Sequence, residues 1–222
     1  MKTMGTQMMK TGVAGMMGMA ALTLLAGGCG HPAAPVNSAA RAQSCHLYAG
    51  LDTSASWRPY LGVSATLCAR QALRLDPDHD SLTLYRLDSS TREFSDGHAP
   101  ESGDRLQRTI VSEAASVSGT RGTFPARFWT AVTQRAAGDA GTVVIEIFSD
   151  GDNDDLTARS SSAIRTAAHR LAQNRHVAGV WVFGAQPRNW ATLRGEFAPL
   201  GDRFHLCSPT EMTLERVASA VP

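Results

Sequence analysis

From residue 45 onward the chain alternates between two hydrophobic rhythms. "CHLYAGLD" (45–52) is an apolar run ended by an acid, the pattern of a strand covered on both faces. From Trp57 to Leu75, the residues Leu61, Ala65, Cys68, Ala72 and Leu75 recur at steps of three and four and predict one face of a helix. "SLTLYRLD" (81–88) alternates like a strand, and "TREFSD" (91–96) is placed to pair beside it. Helices are predicted over 104–115 and over 125–137, the second with proline at its first position. "TVVIEIF" (142–148) reads as a strand buried on both faces. A long helix over 156–174, a strand in "VAGVWVFGA" (177–185), a short helix over 189–197, a strand in "DRFHLC" (202–207) and a helix over 210–220 complete the series.

Strands separated by helices of this length need right-handed crossovers. The expected fold is therefore α/β, a doubly wound, mostly parallel six-stranded sheet with helices on both faces. Such sheets bind ligands beyond the carboxyl ends of their strands. Asp52, Asp150 and Gly184 fall at those ends.

The first 44 residues follow neither rhythm. Lys2 and Lys10 precede "TGVAGMMGMAALTLLAGG", too short and too rich in glycine for a spanning helix but suited to an export signal. "LLAGGC" resembles a bacterial lipobox, which implies lipidation of Cys29. "GHPAAPVNSAARAQS" is rich in Ala, Pro and Ser and reads as a tether. The expected organisation is a signal peptide over 1–28, a lipidated start and tether over 29–44, and one domain over 45–222. Such a protein is exported and held by Cys29 on a bacterial membrane, facing periplasm or cell surface.

Charge narrows the function. The chain carries 21 Lys and Arg against 20 Asp and Glu, without a long like-charge run. Nothing in that balance points to nucleic acid. Both lysines lie in the signal segment, so the domain has no lysine for a Schiff base or a P-loop.

The chemistry sits at two strand ends and one loop. Asp52, Ser54 and Ser56 leave the first strand at alternate positions and can point the same way. They offer only oxygen, the donor that Mg²⁺, Mn²⁺ and Ca²⁺ prefer; zinc would favour His or Cys. "VVIEIFSDGDNDD" ends a second strand at Asp150, with Gly151 free to turn. Between them, "SGTRGTFPARFW" is a Gly/Thr loop entering a helix, and Thr123 offers a further hydroxyl. Alone, D-x-S-x-S also fits a Ser-rich turn capping the next helix.

Taken in order, D-x-S-x-S, the Gly-Thr loop and "SDG" resemble the von Willebrand factor type A domain over roughly Cys45 to the C-terminus. The resemblance implies a doubly wound fold and a metal-ion-dependent adhesion site (MIDAS). Ser54, Ser56 and Thr123 would then coordinate a cation through hydroxyls, and Asp52 and Asp150 directly or through water. Thr120, also after a glycine, competes with Thr123. A cation held mostly by neutral hydroxyls keeps much of its charge and attracts an Asp or Glu of a protein partner.

Other signals carry less. "DGDNDD" fails as an EF-hand, since Asp155 follows Asp154 where glycine is needed and Ser161 stands in place of the bidentate Glu. Asp152, Asp154 and Asp155 read as solvated or helix-capping, or as an acidic rim to the metal face. His46, His205, Trp181 and Trp190 read as packing residues, and Arg121 as a solvated loop residue or a guide for an acidic ligand. No G-x-S-x-G elbow is present. Counting along strand and helix puts Cys45 about 23 Å and Cys68 about 18 Å below the strand end. A Cys45–Cys68 disulfide is then geometrically open, with Cys207 left over; three buried thiols is the alternative. The expected function is metal-dependent protein binding or adhesion. The rivals are a metal enzyme acting on a phosphoryl or carbonyl group, for which no general base is evident, and a scaffold with a structural metal.

Overall fold

The computed structural model describes residues 43–116, 122–155 and 157–221, less the side chain of Ala114. Cys29, the tether as far as residue 42, Thr120, Arg121 and Leu156 lie outside the described residues. Six strands form one sheet: β1 (Cys45–Asp52), β2 (Ser81–Leu87), β3 (Arg92–His98), β4 (Thr142–Phe148), β5 (Val177–Phe183) and β6 (Phe204–Cys207). Their order is β3-β2-β1-β4-β5-β6. All neighbours are parallel except β2 and β3, which run antiparallel across the short turn between them. The expected doubly wound, mostly parallel sheet is what forms.

Helices cover both faces, so the strands can be apolar throughout. On one face α1 (Leu61–Ala72), α2 (Gly103–Ala115) and α6 (Leu214–Ala218) enclose Leu47, Ala49, Leu51, Val144, Phe148 and Phe183. On the other, α3 (Pro125–Ala136), α4 (Ala158–Gln173) and α5 (Trp190–Glu196) enclose Tyr48, Ile145, Ile147, Val180 and Val182. Gly50 admits the second layer closely: a Cβ there would lie 2.9 Å from the Phe128 ring and 2.6 Å from Leu87. The chain leaves β1 toward β2 and later crosses back to β4 on the other side. The gap between the carboxyl ends of β1 and β4 is therefore the topological switch point, where a crevice opens in such sheets.

Several boundaries differ from expectation. The helix predicted from Trp57 starts as a 3-10 turn at Arg58–Tyr60 and becomes α-helical only at Leu61. Pro59 fits that first turn because it has no N–H to place. At the far end, a capping box of Ser208 and Glu211 closes a separate 3-10 turn, and Thr213 caps α6 afresh. One helix over 210–220 is thereby split in two.

The late start of α1 also overturns the disulfide. Cys68 is only seven residues into the helix, about 10 Å along its axis, whereas Cys45 lies at the far end of an eight-residue strand. Gln71, one turn deeper than Cys68, reaches Glu146, which pairs with Ala49 rather than with the start of β1. Cys68 thus lies nearer the level of Ala49 than that of Cys45, and no disulfide joins the two in the structure. Cys68 is a buried free thiol, its pKa raised by desolvation and by the Glu146 charge.

His46, His205, Trp181 and Trp190 pack as expected. The His46 ring stacks on Tyr48 at 4.0 Å, and its Nε2 lies 2.8 Å from the Thr83 hydroxyl. His205 stacks on Trp181 at 3.9 Å. The Trp190 indole donates to the Ala185 carbonyl.

Candidate metal centre

Three loops converge at the switch point, and each is held for a local reason. The first leaves β1 at Asp52. The Thr53 N–H donates to the Leu87 carbonyl, extending the β1–β2 ladder by one residue, and Arg58 N–H donates to the Ser54 carbonyl to close the turn. Trp57 then turns inward. Its indole N–H donates to Ser64 on α1, and its ring lies over Gly184 at the end of β5. Only glycine serves at 184, because φ is 92° and a Cβ would fall 2.0 Å from the Trp57 ring.

The second loop reaches Thr123 just before α3, whose Pro125 occupies the first turn. Phe124 N–H donates to the Asp88 carbonyl at the end of β2. The third loop leaves β4 as Ser149, Asp150 and Gly151. Ser149 N–H continues the ladder to the Phe183 carbonyl, and Gly151 takes a φ of 78°. The Asp150 carbonyl accepts from Gln186 N–H and from the Asn189 side chain, which fixes the loop against the start of α5.

Asp52 is the hub. Its Oδ1 accepts from Ser54 N–H at 2.8 Å. Its Oδ2 accepts from the Ser149 hydroxyl at 2.7 Å. The Thr123 hydroxyl lies 3.2 Å from both oxygens. The Ser54 and Ser56 hydroxyls are 3.1 Å apart, Ser54 buried and Ser56 exposed at the mouth. Asp150 is buried, and its Oδ1 accepts from Asp152 N–H at 3.0 Å. Burial pushes the Asp52 carboxyl up to about 6; the Ser149 and Ser54 hydrogen bonds oppose that, and the Asp150 charge adds to it. At neutral pH the cluster therefore holds an ionised carboxylate inside a ring of hydroxyls.

Of the sequence-derived residues, Asp52, Ser54 and Thr123 meet in one hydrogen-bonded cluster. Ser56 joins it through Ser54, and Asp150 is felt by Asp52 as a charge. Among the described residues, no three His, Cys, Asp or Glu side chains gather as a metal site. The donors at the switch point are two carboxylates mixed with hydroxyls, an all-oxygen set suited to a hard cation.

Two residues were missed. Ser149 appeared only as the first letter of "SDG", yet its hydroxyl makes the shortest contact to Asp52. Asp154 is exposed, as a solvated acid is, but its carboxylate also accepts from Thr123 N–H at 2.6 Å, while Asp154 N–H donates to the Thr123 carbonyl at 3.0 Å. Asp152 is not free either: Arg188 and Asn189 both donate to it. The helix cap is Thr157, whose hydroxyl accepts from Ser160 N–H. Beside these loops, a cavity of about 400 Å³ is lined by Trp129, Ile147, Ile164, Val182 and Leu193, with Glu196 among its polar walls.

Sheet order, flanking helices and the loop cluster at the β1–β4 switch together define the α/β fold of von Willebrand factor A domains. No protein-family model and no curated protein matches the sequence. Solved structures do. The manganese-loaded TRAP protein of Plasmodium vivax is 15% identical, with 81% of this chain covering 72% of that one at a TM-score of 0.57. BatB of Bacteroides thetaiotaomicron is 15% identical, 80% covering 97%, at 0.56. Proximal thread matrix protein 1 of the mussel byssus, solved with a zinc-occupied MIDAS motif, is 13% identical, 79% covering 45%, at 0.54. At such identities the likeness is one of fold. The chain spans less than two thirds of the length of the byssus protein and of the PilB minor pilin of Streptococcus sanguinis, 45% and 60% respectively.

Proposed function

We propose that this chain is a divalent-cation-dependent protein-binding module of an exported bacterial lipoprotein. The observation that carries the reading is the convergence of Asp52, Ser54, Thr123 and Ser149 from three separate loops on one hydrogen-bonded cluster at the sheet's switch point. Asp52, Ser54, Ser56, Thr123 and Asp150 would hold the cation, Mg²⁺, Mn²⁺ or Ca²⁺. The fit rests on the donor set: the Thr123 hydroxyl donates to Asp52, the Ser54 and Ser56 hydroxyls share one hydrogen bond, and each of the three has lone pairs to offer a cation. Bound there, the cation supplies positive charge that the surrounding hydroxyls do not cancel.

The chain's own part is to orient those hydroxyls and hold Asp52 ionised. Exposed Ser56 marks the open side, where an Asp or Glu of a partner protein would approach. Metal-loaded neighbours of this fold, with manganese in one and zinc in another, support the reading. Cys29 is the proposed lipid anchor, and 29–44 the tether that lets the domain reach a partner from the membrane.

Affinity capture from envelope extract tests the reading. The wild-type chain should retain a protein partner with Mg²⁺ and lose it with EDTA or with Asp52→Ala. Retention unaffected by either would contradict it. Hydrolysis of a phosphate ester that needs Asp52 would favour an enzyme instead.

A further inference from the structure

The run Asp152–Asp155 offers four polar side chains in a row, and one of them, exposed Asp154, reaches across to another loop. Asp154 reaches back 31 residues to the second loop. Its Oδ2 accepts from Thr123 N–H at 2.6 Å. Its own N–H donates to the Thr123 carbonyl at 3.0 Å, so Thr123 is gripped on both sides of its backbone. Gly122 completes the fit. Its φ is 91°, a region that favours glycine, and a Cβ built there would lie 3.0 Å from both Cβ and Oδ2 of Asp154.

Thr123 is the residue most in need of such a grip. Its hydroxyl sits 3.2 Å from both oxygens of Asp52, a shared and long contact. Asp52 alone does not fix where that hydroxyl points. Ser54 and Ser149, by contrast, follow directly from strands whose ladders place them.

We propose that Asp154 is a positioning residue, which locks the Gly122–Thr123 backbone so that the Thr123 hydroxyl is presented to the cation. This rests on the metal-binding reading above. Asp154 does not touch the cation; it acts through Thr123, and it couples the third loop to the second. Residues that orient a metal ligand in this way typically cost about 10- to 100-fold in metal affinity when removed.

Calorimetric titration of the full chain with Mn²⁺ tests it. Asp154→Ala should weaken Mn²⁺ binding by about tenfold or more. Asp154→Asn keeps an acceptor for Thr123 N–H without the charge and should stay within about threefold of wild type. In a Thr123→Ala background, Asp154→Ala should cost nothing further, because the residue it positions is gone. Gly122→Ala, which attacks the other side of the same grip, should repeat the loss and serves if Asp154→Ala does not fold.

Three outcomes would overturn the proposal: wild-type affinity in Asp154→Ala; equal losses in Asp154→Ala and Asp154→Asn; or full additivity with Thr123→Ala. The last two would mean that Asp154 acts by charge alone. If wild type binds Mn²⁺ and Asp52→Ala does not, while Asp154→Ala matches wild type, this proposal fails and the metal reading stands. If wild type binds no Mn²⁺, both fail.

Discussion

Two carboxylates, Asp52 and Glu146, are buried to 0% exposure on the neighbouring strands β1 and β4. Glu146 pairs with Ala49, three residues and about 10 Å below Asp52 along the sheet. Their burial is alike and their supply of donors is not. Asp52 takes Ser54 N–H and the hydroxyls of Ser149 and Thr123. Glu146 takes one bond, from the Gln71 side chain at 3.0 Å. Among the described residues, Glu146 Oε2 and Gln71 Oε1 have no partner.

Desolvation raises both acids, to about 6 for Asp52 and to about 8 for Glu146. The donors at the loop cluster keep Asp52 charged at neutral pH. The single amide beside Glu146 leaves it largely protonated. A proton on Oε2 also makes it a donor where both unpartnered atoms would otherwise be acceptors. Charge in this sheet follows the supply of hydrogen-bond donors more than depth.

The largest effect that would break this contrast is at Glu146. Its folded pKa lies above the unfolded value, so the unfolded chain loses the proton first as pH rises. Its cost to the fold is absent below pH about 4.5, grows between there and about 8, and is constant above. Over that window the fold should lose on the order of a few kcal/mol through this residue alone. Glu146→Gln keeps a neutral partner for Gln71 and removes the titration. Denaturant unfolding at pH 5 and pH 9 should show the variant near wild type at the lower pH and clearly more stable at the higher. Equal differences at both would show that Glu146 is not held as an acid.

Next comes the support of the Asp52 loop. Gly184→Ala drives a methyl into the Trp57 ring at a backbone angle that favours glycine, and should cost about 2 kcal/mol. Thermal unfolding reads the loss. A tolerated alanine would mean that the ring does not hold the loop. Ser149→Ala, the smallest change, takes one donor from Asp52 and should cost about 1 kcal/mol. It should also move the Asp52 carboxyl further up, toward Glu146, in a carbon-detected NMR titration; an unmoved Asp52 would mean that the Ser149 hydroxyl is not what lowers it.

The sequence carried most of the architecture and part of the site. Continuous apolar runs such as "TVVIEIF" mark strands covered on both faces, and Pro125 marks a helix start. D-x-S-x-S and "SDG" sit at strand ends, so Asp52, Ser54, Ser56 and Asp150 could be read from position. What failed depended on contacts between distant residues or on where a helix truly begins. Counting α1 from Ser56 rather than Leu61 placed Cys68 too deep and brought it level with Cys45. Asp154 lies in a run of acids that reads as solvated, and nothing local shows it reaching Thr123. Glu146 is one polar letter in an apolar strand, and its partner Gln71 is 75 residues away. The Ser149 hydroxyl is common to many turns and gains meaning only beside Asp52.

The central claim is that three loops build an oxygen site for one divalent cation. Titration of the full chain with Mn²⁺, beside Asp52→Ala, tests it most directly. The account predicts a single saturable site in the wild type, a rise in unfolding temperature reversed by EDTA, and neither in Asp52→Ala. No saturable binding in the wild type, or equal binding in both chains, would contradict it.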